Sequence, residues 1–511
     1  MNWPDRIIGN KVLETSLTLA ITEPAASAVL LLGFGVLCAS SVLFSRLFER
    51  MGIPIVLLFL IIGMLGGSEG IGGLEFADYG LAARVGTIAL ILILFDGGMN
   101  TSMATFRRVF WPASLLATLG VALTAGILAF SAKLLGLPWS EALLLGAIVS
   151  STDAAAVFSV LRGGNLHLKQ RLGRTLEVES CINDPMAVIL TLAVTAYLTS
   201  GAVPIWWVVG LEVVTQLAIG GIVGVLMGLG GRWIISRQYV NTVGLLPVLT
   251  IAVAFISYGL STVVLGSGFM AVFATALVLG NGPLAYRSGL ARVHDALAWM
   301  SQVSMFLMMG LLVFPSHLLP IAGIGVLLAL ILACLARPIS VLLCMLPFKY
   351  PVREVGYLSW VGLRGSVPII LATFPVLAGV AGADRVFNLV FFIVVLSSIV
   401  PGSTVRMLTR WLELGERVLP APEAVLEINS PGPLDGEIES YAITPVVAVS
   451  GASLSEINFP EGASVILLVR GRHVLAAKGG TILTPGDHAY VFFRPHDREF
   501  VELLFGAPEH A

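Results

Sequence analysis

The sequence is poor in charge. Only 12% of its 511 residues are Asp, Glu, Lys or Arg, whereas soluble globular domains carry about 25%. Hydrophobic residues make up 57% and the mean hydropathy is +0.94. This balance excludes a soluble protein and indicates an integral membrane protein. The net charge of -2 and the absence of a basic aromatic tract exclude nucleic acid as a partner.

Cysteine is also scarce, and motifs of catalysis are missing. The four cysteines all fall in apolar stretches and lack metal-ligand spacing; they are Cys38, Cys181, Cys334 and Cys344. We therefore expect neither a disulfide framework nor a resident metal. There is no HExxH motif, phosphate-binding glycine loop or nucleophile elbow in a credible context. The sequence thus predicts a protein that is not an enzyme and has no cofactor.

Long apolar runs are what the sequence does contain. They recur from about residue 26 to about residue 408 and are long enough to cross a bilayer as helices. The predicted fold is an all-α polytopic membrane protein with 13 transmembrane helices and a small α+β cytoplasmic domain. The predicted spans are 26–45, 51–67, 82–103, 110–132, 139–161, 175–199, 204–230, 241–261, 264–282, 293–314, 318–346, 354–379 and 386–408.

Basic residues are distributed unequally between the two sides of these spans. If the first span runs from outside to inside, 17 basic residues fall in the inner connections and only three at the outer ones. The outer three are Arg84, Lys133 and Arg385. Because cytoplasmic loops are enriched in Lys and Arg, this orientation places the C-terminus in the cytoplasm.

Two spans carry polar interruptions at corresponding positions. Thirteen spans divide into six, a linker and six, and an offset of seven relates spans that cross in opposite senses. Span 5 is interrupted by "SSTDAA" around Asp153, and span 12 by "GLRGSVP" around Arg364. Unwound backbone is tolerated at membrane depth only where protein or water satisfies it. We therefore predict two inverted six-helix repeats whose broken helices cross at a transport site.

Span 6, with "LEVESCINDPMAV", supplies the acidic groups. Helical spacing places Glu179 with Asn183 on one stripe and Ser180 with Asp184 on the next. Each intramembrane charge costs roughly 2.5 to 3.5 kcal/mol on insertion scales unless it is paired. We expect Glu179 to form a buried ion pair with Arg364. Asp184 is then left to bind either a proton or a metal cation, and such competition at one site produces antiport.

Three motifs together show a resemblance. "STDAAAVFS", "EVESCINDPMA" and "GLRGSVPI" resemble the NhaP-type branch of the bacterial cation/proton antiporters, relatives of the animal sodium/proton exchangers, over residues 26–410. The resemblance implies a site for the proton and the transported monovalent cation, formed by Thr152, Asp153, Ser180 and Asp184. It implies that Glu179, Asn183 and Arg364 brace this site. An acidic residue near Asp96 helps to coordinate the ion in some relatives, and the alternative is a carboxylate lining the cytoplasmic funnel.

The resemblance also implies how the protein works. It implies a homodimer in the bacterial plasma membrane, with a dimer-forming part and a core that slides between the two faces like an elevator. Exchange is expected to be electroneutral because Asn183 replaces a second aspartate. Ala154 stands where the family usually has proline, as in potassium/proton members. We therefore favour potassium/proton exchange, with sodium/proton exchange as the alternative and a regulated cation channel as the competing class.

Composition changes after the last span. Residues 1–25 form an N-terminal segment, and residues 411–437, rich in Pro, Gly and acids, are predicted as a linker. Residues 438–511 contain the strand candidates "SVILLVR", "HVLAA" and "HAYVFFR" and a terminal helix. This region resembles the TrkA-C module of regulators of potassium conductance. The resemblance implies dimerisation and a possible regulatory cyclic dinucleotide or other nucleotide; the alternative is a dimer-stabilising tail without a ligand.

Two smaller expectations concern helix packing and histidine. Gly220, Gly224 and Gly228 share one helical face, which predicts close packing against another helix. His294 lies near the start of a predicted span, where we expect a solvated side chain.

Overall fold

A computed structural model describes most of the chain. The described residues are 28, 31–48, 54–74, 76–162, 166–201, 206–237, 243–282, 286–416, 436–471 and 473–506. The predicted N-terminal segment and most of the predicted linker lie outside them. We call residues 31–416 the membrane unit and residues 436–506 the tail unit.

The membrane unit is built from helices. In chain order they are α1 (Leu31–Phe48), α2 (Ile55–Gly66), α3 (Tyr79–Asn100), α4 (Met103–Leu115), α5 (Val121–Leu134), α6 (Trp139–Ile148), α7 (Ala154–Arg162), α8 (Gln170–Ser200), α9 (Trp206–Ser236), α10 (Leu246–Val263), α11 (Gly268–Gly280), α12 (Arg287–Leu311), α13 (Pro315–Leu318), α14 (Ala322–Ile331), α15 (Arg337–Met345), α16 (Val352–Trp360), α17 (Val367–Leu377) and α18 (Ala383–Trp411). A two-residue strand pair, β1 (His167–Leu168) with β2 (Gly415–Glu416), joins the start of α8 to the end of α18.

The helices have the length and composition of membrane spans. Within the described residues, eight helical segments of 18 residues or more are apolar enough to cross a bilayer. Four shorter apolar helices accompany them: Ile55–Gly66, Trp139–Ile148, Gly268–Gly280 and Val367–Leu377. The membrane unit is therefore a multi-span helical membrane protein, as the hydropathy predicts.

Both predicted interruptions are confirmed. The chain leaves the helical conformation at residues 149–153, between α6 and α7, and at residues 361–366, between α16 and α17. The two breaks contact each other, since the backbone N–H of Asp153 donates to the carbonyl of Leu363 at 2.8 Å. One otherwise unpaired backbone group of each break thus satisfies one of the other, as a broken helix in a membrane needs.

Two π-helical segments occupy similar places in two different spans. Leu116–Gly120 joins α4 to α5, and Leu332–Ala336 joins α14 to α15. The hydroxyls of Thr124 and Ser340, each one turn beyond a π segment, form a hydrogen bond of 3.0 Å. π-Helical turns are rare and are frequently found at functional sites.

The glycine stripe of α9 packs as expected. A Cβ at Gly220, Gly224 or Gly228 would come within 3 Å of atoms of α11 or the residue before it, among them the carbonyls of Ser267 and Ala271. The small residues let the two backbones approach closely, so the prediction of close helix packing is confirmed.

The tail unit is a small α+β fold. Strands β3 (Glu437–Ala442), β4 (Ser464–Arg470), β5 (His473–Ala476) and β6 (Asp487–Phe493) form an antiparallel sheet in the order β3-β6-β4-β5, followed by α19 (Arg498–Phe505). The three predicted strands and the terminal helix are confirmed. The unit has a hydrophobic core of its own, which includes Tyr441, Leu468, Val491 and Phe505.

Candidate functional site

Helix α8 carries the acidic groups into the interior of the membrane unit. It runs without a break through Pro185, and Glu179, Asn183 and Asp184 are all buried. Pro185 has no N–H to donate to the carbonyl of Cys181, so that oxygen is freed near Asp184.

The break between α6 and α7 is attached to α8 by hydrogen bonds. Ser180 Oγ donates to the carbonyl oxygen of Thr152 at 3.0 Å and accepts from the backbone N–H of Ala154 at 3.3 Å. Asn183 Nδ2 donates to Thr152 Oγ1 at 2.6 Å. Thr152 and Ser180, two of the residues expected to form the ion site, and Asn183, expected to brace it, are therefore brought together, with the polar stripe of α8 facing the break.

Two carboxylates face this region. Asp153 caps α7, because its Oδ1 accepts from the backbone N–H of Ala156 at 3.1 Å. Asp184 is 8% exposed and interacts electrostatically with Asp153. Within the described part of the chain, no basic side chain lies within ion-pair distance of either carboxylate. Like charges at low dielectric favour the uptake of a proton or a cation between them.

The predicted ion pair between Glu179 and Arg364 is wrong. Glu179 Oε1 instead pairs with Arg337 Nη2 at 2.7 Å, and both side chains are almost fully buried. Arg364 Nη1 is directed to the carbonyls of Ser150 and Ser151, at 2.7 Å for Ser150. The physical reason is that the end of α6 leaves carbonyls without helical partners, and the guanidinium of Arg364 satisfies them.

Arg337, the partner of Glu179 beside the candidate site, is a residue that the sequence interpretation missed. Its signal was present, because an arginine stands in the apolar run "LACLARPIS" of span 11. It begins α15 directly after the second π segment. Arg364 remains next to the site as a group that braces the helix break rather than a partner of Glu179.

Asp96 lies on α3, which reaches α8 close to the acidic groups. Asn100 Nδ2 donates to Asp96 Oδ1 at 3.0 Å. A Cβ on the neighbouring Gly97 would lie 3.8 Å from Cys181 Sγ, in the turn of α8 before Asp184. A role for Asp96 at the ion site stays a prediction.

A cavity of about 100 Å³ lies beside α7. Ala155 and Ser159 of α7 line it on one side, and Ile93 of α3 and residues of α12, among them Asp295 and Gln302, line the others. Ala155 is two residues from Asp153. The cavity therefore lies beside the first turns of α7, and one further carboxylate lines it, Asp295, which the sequence interpretation did not single out.

The expectation of a solvated His294 is wrong. Its side chain is buried on α12, Nε2 lies 2.8 Å from Thr250 Oγ1, and the ring packs on Phe95 with centroids 4.8 Å apart. Burial follows from the tight packing of α12 against α3, which leaves room for the ring only between helices.

The polar groups at the break between α6 and α7 and on α8 are mainly oxygens. Carboxylates of Asp184 and Asp153, the hydroxyl of Ser180 and the carbonyl of Thr152 are ligands of the type that alkali cations prefer. These atoms come from a helix and from an unwound segment, an arrangement found in transporter sites. Carboxylates of this kind can also take up a proton.

Two family models match the chain. The model for the transmembrane sodium/hydrogen exchangers matches residues 36–411, and the model for the TrkA-C domain matches residues 438–506. The first match covers the membrane unit, including both helix breaks. The second match covers the tail unit.

Curated relatives cover nearly all of the chain. It is 41% identical over 487 residues to the K(+)/H(+) antiporter NhaP2 of Shewanella oneidensis, covering 93% of this chain and 83% of that one. It is 38% identical over 474 residues to the K(+)/H(+) antiporter NhaP of Alkalimonas amylolytica, covering 91% and 81%. A more distant relative is the Na(+)/H(+) antiporter NhaS2 of Synechocystis, 28% identical over 66% of this chain and 64% of that one.

A solved structure has a similar fold. The sodium proton antiporter MjNhaP1 of Methanocaldococcus jannaschii superposes with a TM-score of 0.64 at 25% identity, covering 76% of this chain and all of that one. The relatives found by sequence and the neighbour found by structure are all cation/proton antiporters.

Proposed function

The chain belongs to the sodium/hydrogen exchanger family and is a monovalent cation/proton antiporter, not an enzyme, and from this we propose that it exchanges potassium for protons at Asp184. One observation carries the proposal: Asp184 is buried beside Asp153, and no basic partner of either lies among the described residues. A paired carboxylate would be neutralised permanently. An unpaired one requires a mobile counter-charge, and a proton or a cation supplies it.

Exchange follows from single occupancy. If the core changes sides only when Asp184 is neutralised, a cation that moves in one direction must be balanced by a proton that moves in the other. Thr152, Ser180 and Asp153 supply the further oxygens that replace water around the cation. Asn183 is neutral and holds Thr152 in place, so one charge is carried each way and exchange is electroneutral.

Two features support inverted repeats with thirteen crossings. The π segments Leu116–Gly120 and Leu332–Ala336 stand in the fourth and eleventh spans, an offset of seven. Their helices meet through Thr124 and Ser340. We propose that spans 4 to 6 and 11 to 13 form a core that moves like an elevator against spans 1 to 3 and 8 to 10 of a homodimer.

Two observations favour potassium as the cation. The relatives at 41% and 38% identity are named K(+)/H(+) antiporters, whereas the one named a Na(+)/H(+) antiporter is 28% identical. Ala154 is the first residue of α7, directly after Asp153. Unlike proline, it has a backbone N–H, and this N–H donates to Ser180 Oγ. Proline at this position would remove that hydrogen bond and leave Ser180 Oγ with only its bond to the carbonyl of Thr152. Sodium is the alternative cation.

The tail unit is proposed to regulate transport from the cytoplasm. The excess of basic residues in the inner connections supports a cytoplasmic C-terminus. We propose an antiporter domain at residues 26–410 in the bacterial plasma membrane and a TrkA-C-like domain at residues 438–511 in the cytoplasm. A cyclic dinucleotide or another nucleotide is the class of ligand we propose for it, together with a contribution to the homodimer.

Proton movement in sealed vesicles tests the proposal. The purified chain is reconstituted with a pH-sensitive dye inside, and gradients of potassium or sodium chloride are imposed. We expect a potassium gradient to drive proton movement without a membrane potential, and Asp184→Asn to abolish it. Equal exchange by Asp184→Asn would overturn the site. Potassium flux without proton movement would instead indicate a channel, and a response to sodium alone would reverse the choice of cation.

A further inference from the structure

A second cavity, of about 40 Å³, lies on the other side of Arg364 from the break between α6 and α7 and contains none of the residues proposed to bind the cation. It is enclosed by α14, α15, α16 and α18 and by the π segment Leu332–Ala336. Its walls are mainly apolar, but two buried arginines, Arg337 and Arg364, also line it. Trp360 forms part of the wall and is held there, since its Nε1 donates to Thr404 Oγ1 at 2.8 Å.

The two arginines have one ion-pair partner between them within the described residues. Glu179 pairs with Arg337. Arg364 has only one nitrogen engaged, with the carbonyls of Ser150 and Ser151. Its Nε and Nη2 are buried and have no hydrogen-bond partner in the described part of the chain. A buried guanidinium with unmet donors is unfavourable unless an acceptor reaches it.

The cavity is bordered by side chains on the outer surface of the helices. Leu330 is 46% exposed and Val400 is 41% exposed, and Cys334 is also exposed. All three line the cavity. In a span that crosses a bilayer, exposed apolar side chains of this kind face lipid. A ligand can therefore arrive from the hydrocarbon side as well as from water.

We propose that this cavity binds a single monovalent anion that neutralises Arg364. The volume admits a small head group, since one water needs about 10–15 Å³ by this measure. A carboxylate fits the planar guanidinium, which it can contact through two oxygens. The apolar walls can accommodate the first methylenes of a fatty acid whose carboxylate contacts Arg364. A halide ion that enters from water carries the same single negative charge and is the other source of the anion. The proposal does not depend on which cation is exchanged.

Quenching of Trp360 fluorescence tests the anion site. The full chain in detergent is titrated with 9,10-dibromostearate, with its uncharged methyl ester and with sodium iodide, and the signal of Trp360→Phe is subtracted. We expect dibromostearate to quench the Trp360 component in a saturable way and the ester to leave it unchanged. Saturable quenching by iodide alone would assign the anion to water rather than to an acyl chain.

A matched pair of variants separates the cavity from the outer surface. Ala333 lines the cavity, whereas Leu327, on the same span and 43% exposed, does not. Ala333→Phe should abolish saturable quenching and Leu327→Phe should retain it. Equal quenching by the acid and the ester, or no saturable component in the wild-type chain, overturns the proposal. The comparison of the acid with its ester uses the wild-type protein, so it tests the proposal even if Ala333→Phe fails to fold.

Discussion

Asp184 in the membrane unit and Asp487 in the tail unit are both almost completely buried, but they are held in opposite ways. Asp487 begins β6, and Arg470 donates to both of its oxygens, from Nε at 2.7 Å and from Nη2 at 2.8 Å. The backbone N–H of Thr484 adds a third bond at 2.8 Å. Asp184 has no basic partner among the described residues, and its charged neighbour is Asp153.

The membrane is not the cause of this difference. Glu179 lies on the same helix as Asp184, five residues earlier, and it is paired with Arg337. The chain therefore places a basic partner beside one acid of α8 and none beside the other. A satisfied carboxylate holds a fold together, whereas an unsatisfied one leaves its charge for a mobile ion.

Asp184→Asn tests the contrast most severely. We expect cation/proton exchange to fall to the level of vesicles without protein, while the melting temperature in detergent stays the same or rises. The reason is that the substitution removes an unpaired buried charge and no ion pair. Exchange in vesicles and thermal unfolding followed by tryptophan fluorescence measure the two effects. A variant that is both inactive and strongly destabilised would show that Asp184 is a structural acid, like Asp487.

Glu179→Gln should have the opposite profile. It leaves Arg337 buried without its carboxylate, close to Arg364, and breaking a buried pair costs about 3–5 kcal/mol. We expect a large fall in the melting temperature and loss of monodisperse protein on size-exclusion chromatography. The control is the double variant Glu179→Gln with Arg337→Gln, which removes both charges and should recover much of the stability. If the single variant is as stable as the wild type, the pair does not brace the site.

Much of this arrangement could be predicted from the sequence, and the rest could not, for identifiable reasons. Broken helices are encoded locally, by polar and glycine residues within apolar runs, and β-strands of the tail unit by alternation and turns. The partner of Glu179 is not local, because it depends on which face α15 turns toward α8. His294 stands in the polar-looking stretch "ARVHDA", and only the packing of α3 against α12 reveals that it is buried.

Gly365→Ala sharpens the comparison by moving an acid without changing its charge. A Cβ at Gly365 would collide with the carboxylate of Asp153, whereas a Cβ at Gly126, in α5, meets nothing within 4 Å. Overpacking of this kind costs about 1–3 kcal/mol. We expect Gly365→Ala to slow exchange and lower the melting temperature, and Gly126→Ala to change neither. Normal exchange by Gly365→Ala would mean that the position of Asp153 is unimportant for the ion.

Asp487→Asn should give the smallest effect and one that depends on pH. Burial raises the pKa of the Asp487 carboxyl. Hydrogen bonds from Arg470 and Thr484, together with the positive charge of Arg470, nevertheless hold that pKa below its ordinary value. A lowered pKa in the folded state means that the pair stabilises the tail unit fully above about pH 4, and that this contribution is lost as the pH falls through the lowered pKa. Because Arg470 is 44% exposed and regains water, we expect a loss of only about 1–2 kcal/mol at neutral pH.

Urea unfolding of residues 436–511, which have their own hydrophobic core, measures that loss for the wild type and Asp487→Asn at pH 7 and at pH 3. The two proteins should differ at pH 7 and approach each other at pH 3, because the wild-type carboxylate becomes protonated there. A difference that does not change with pH would show that Asp487 acts through packing alone. Asp487 would then not differ from Asp184 in the way proposed, because an ion pair would stabilise the fold at neither residue.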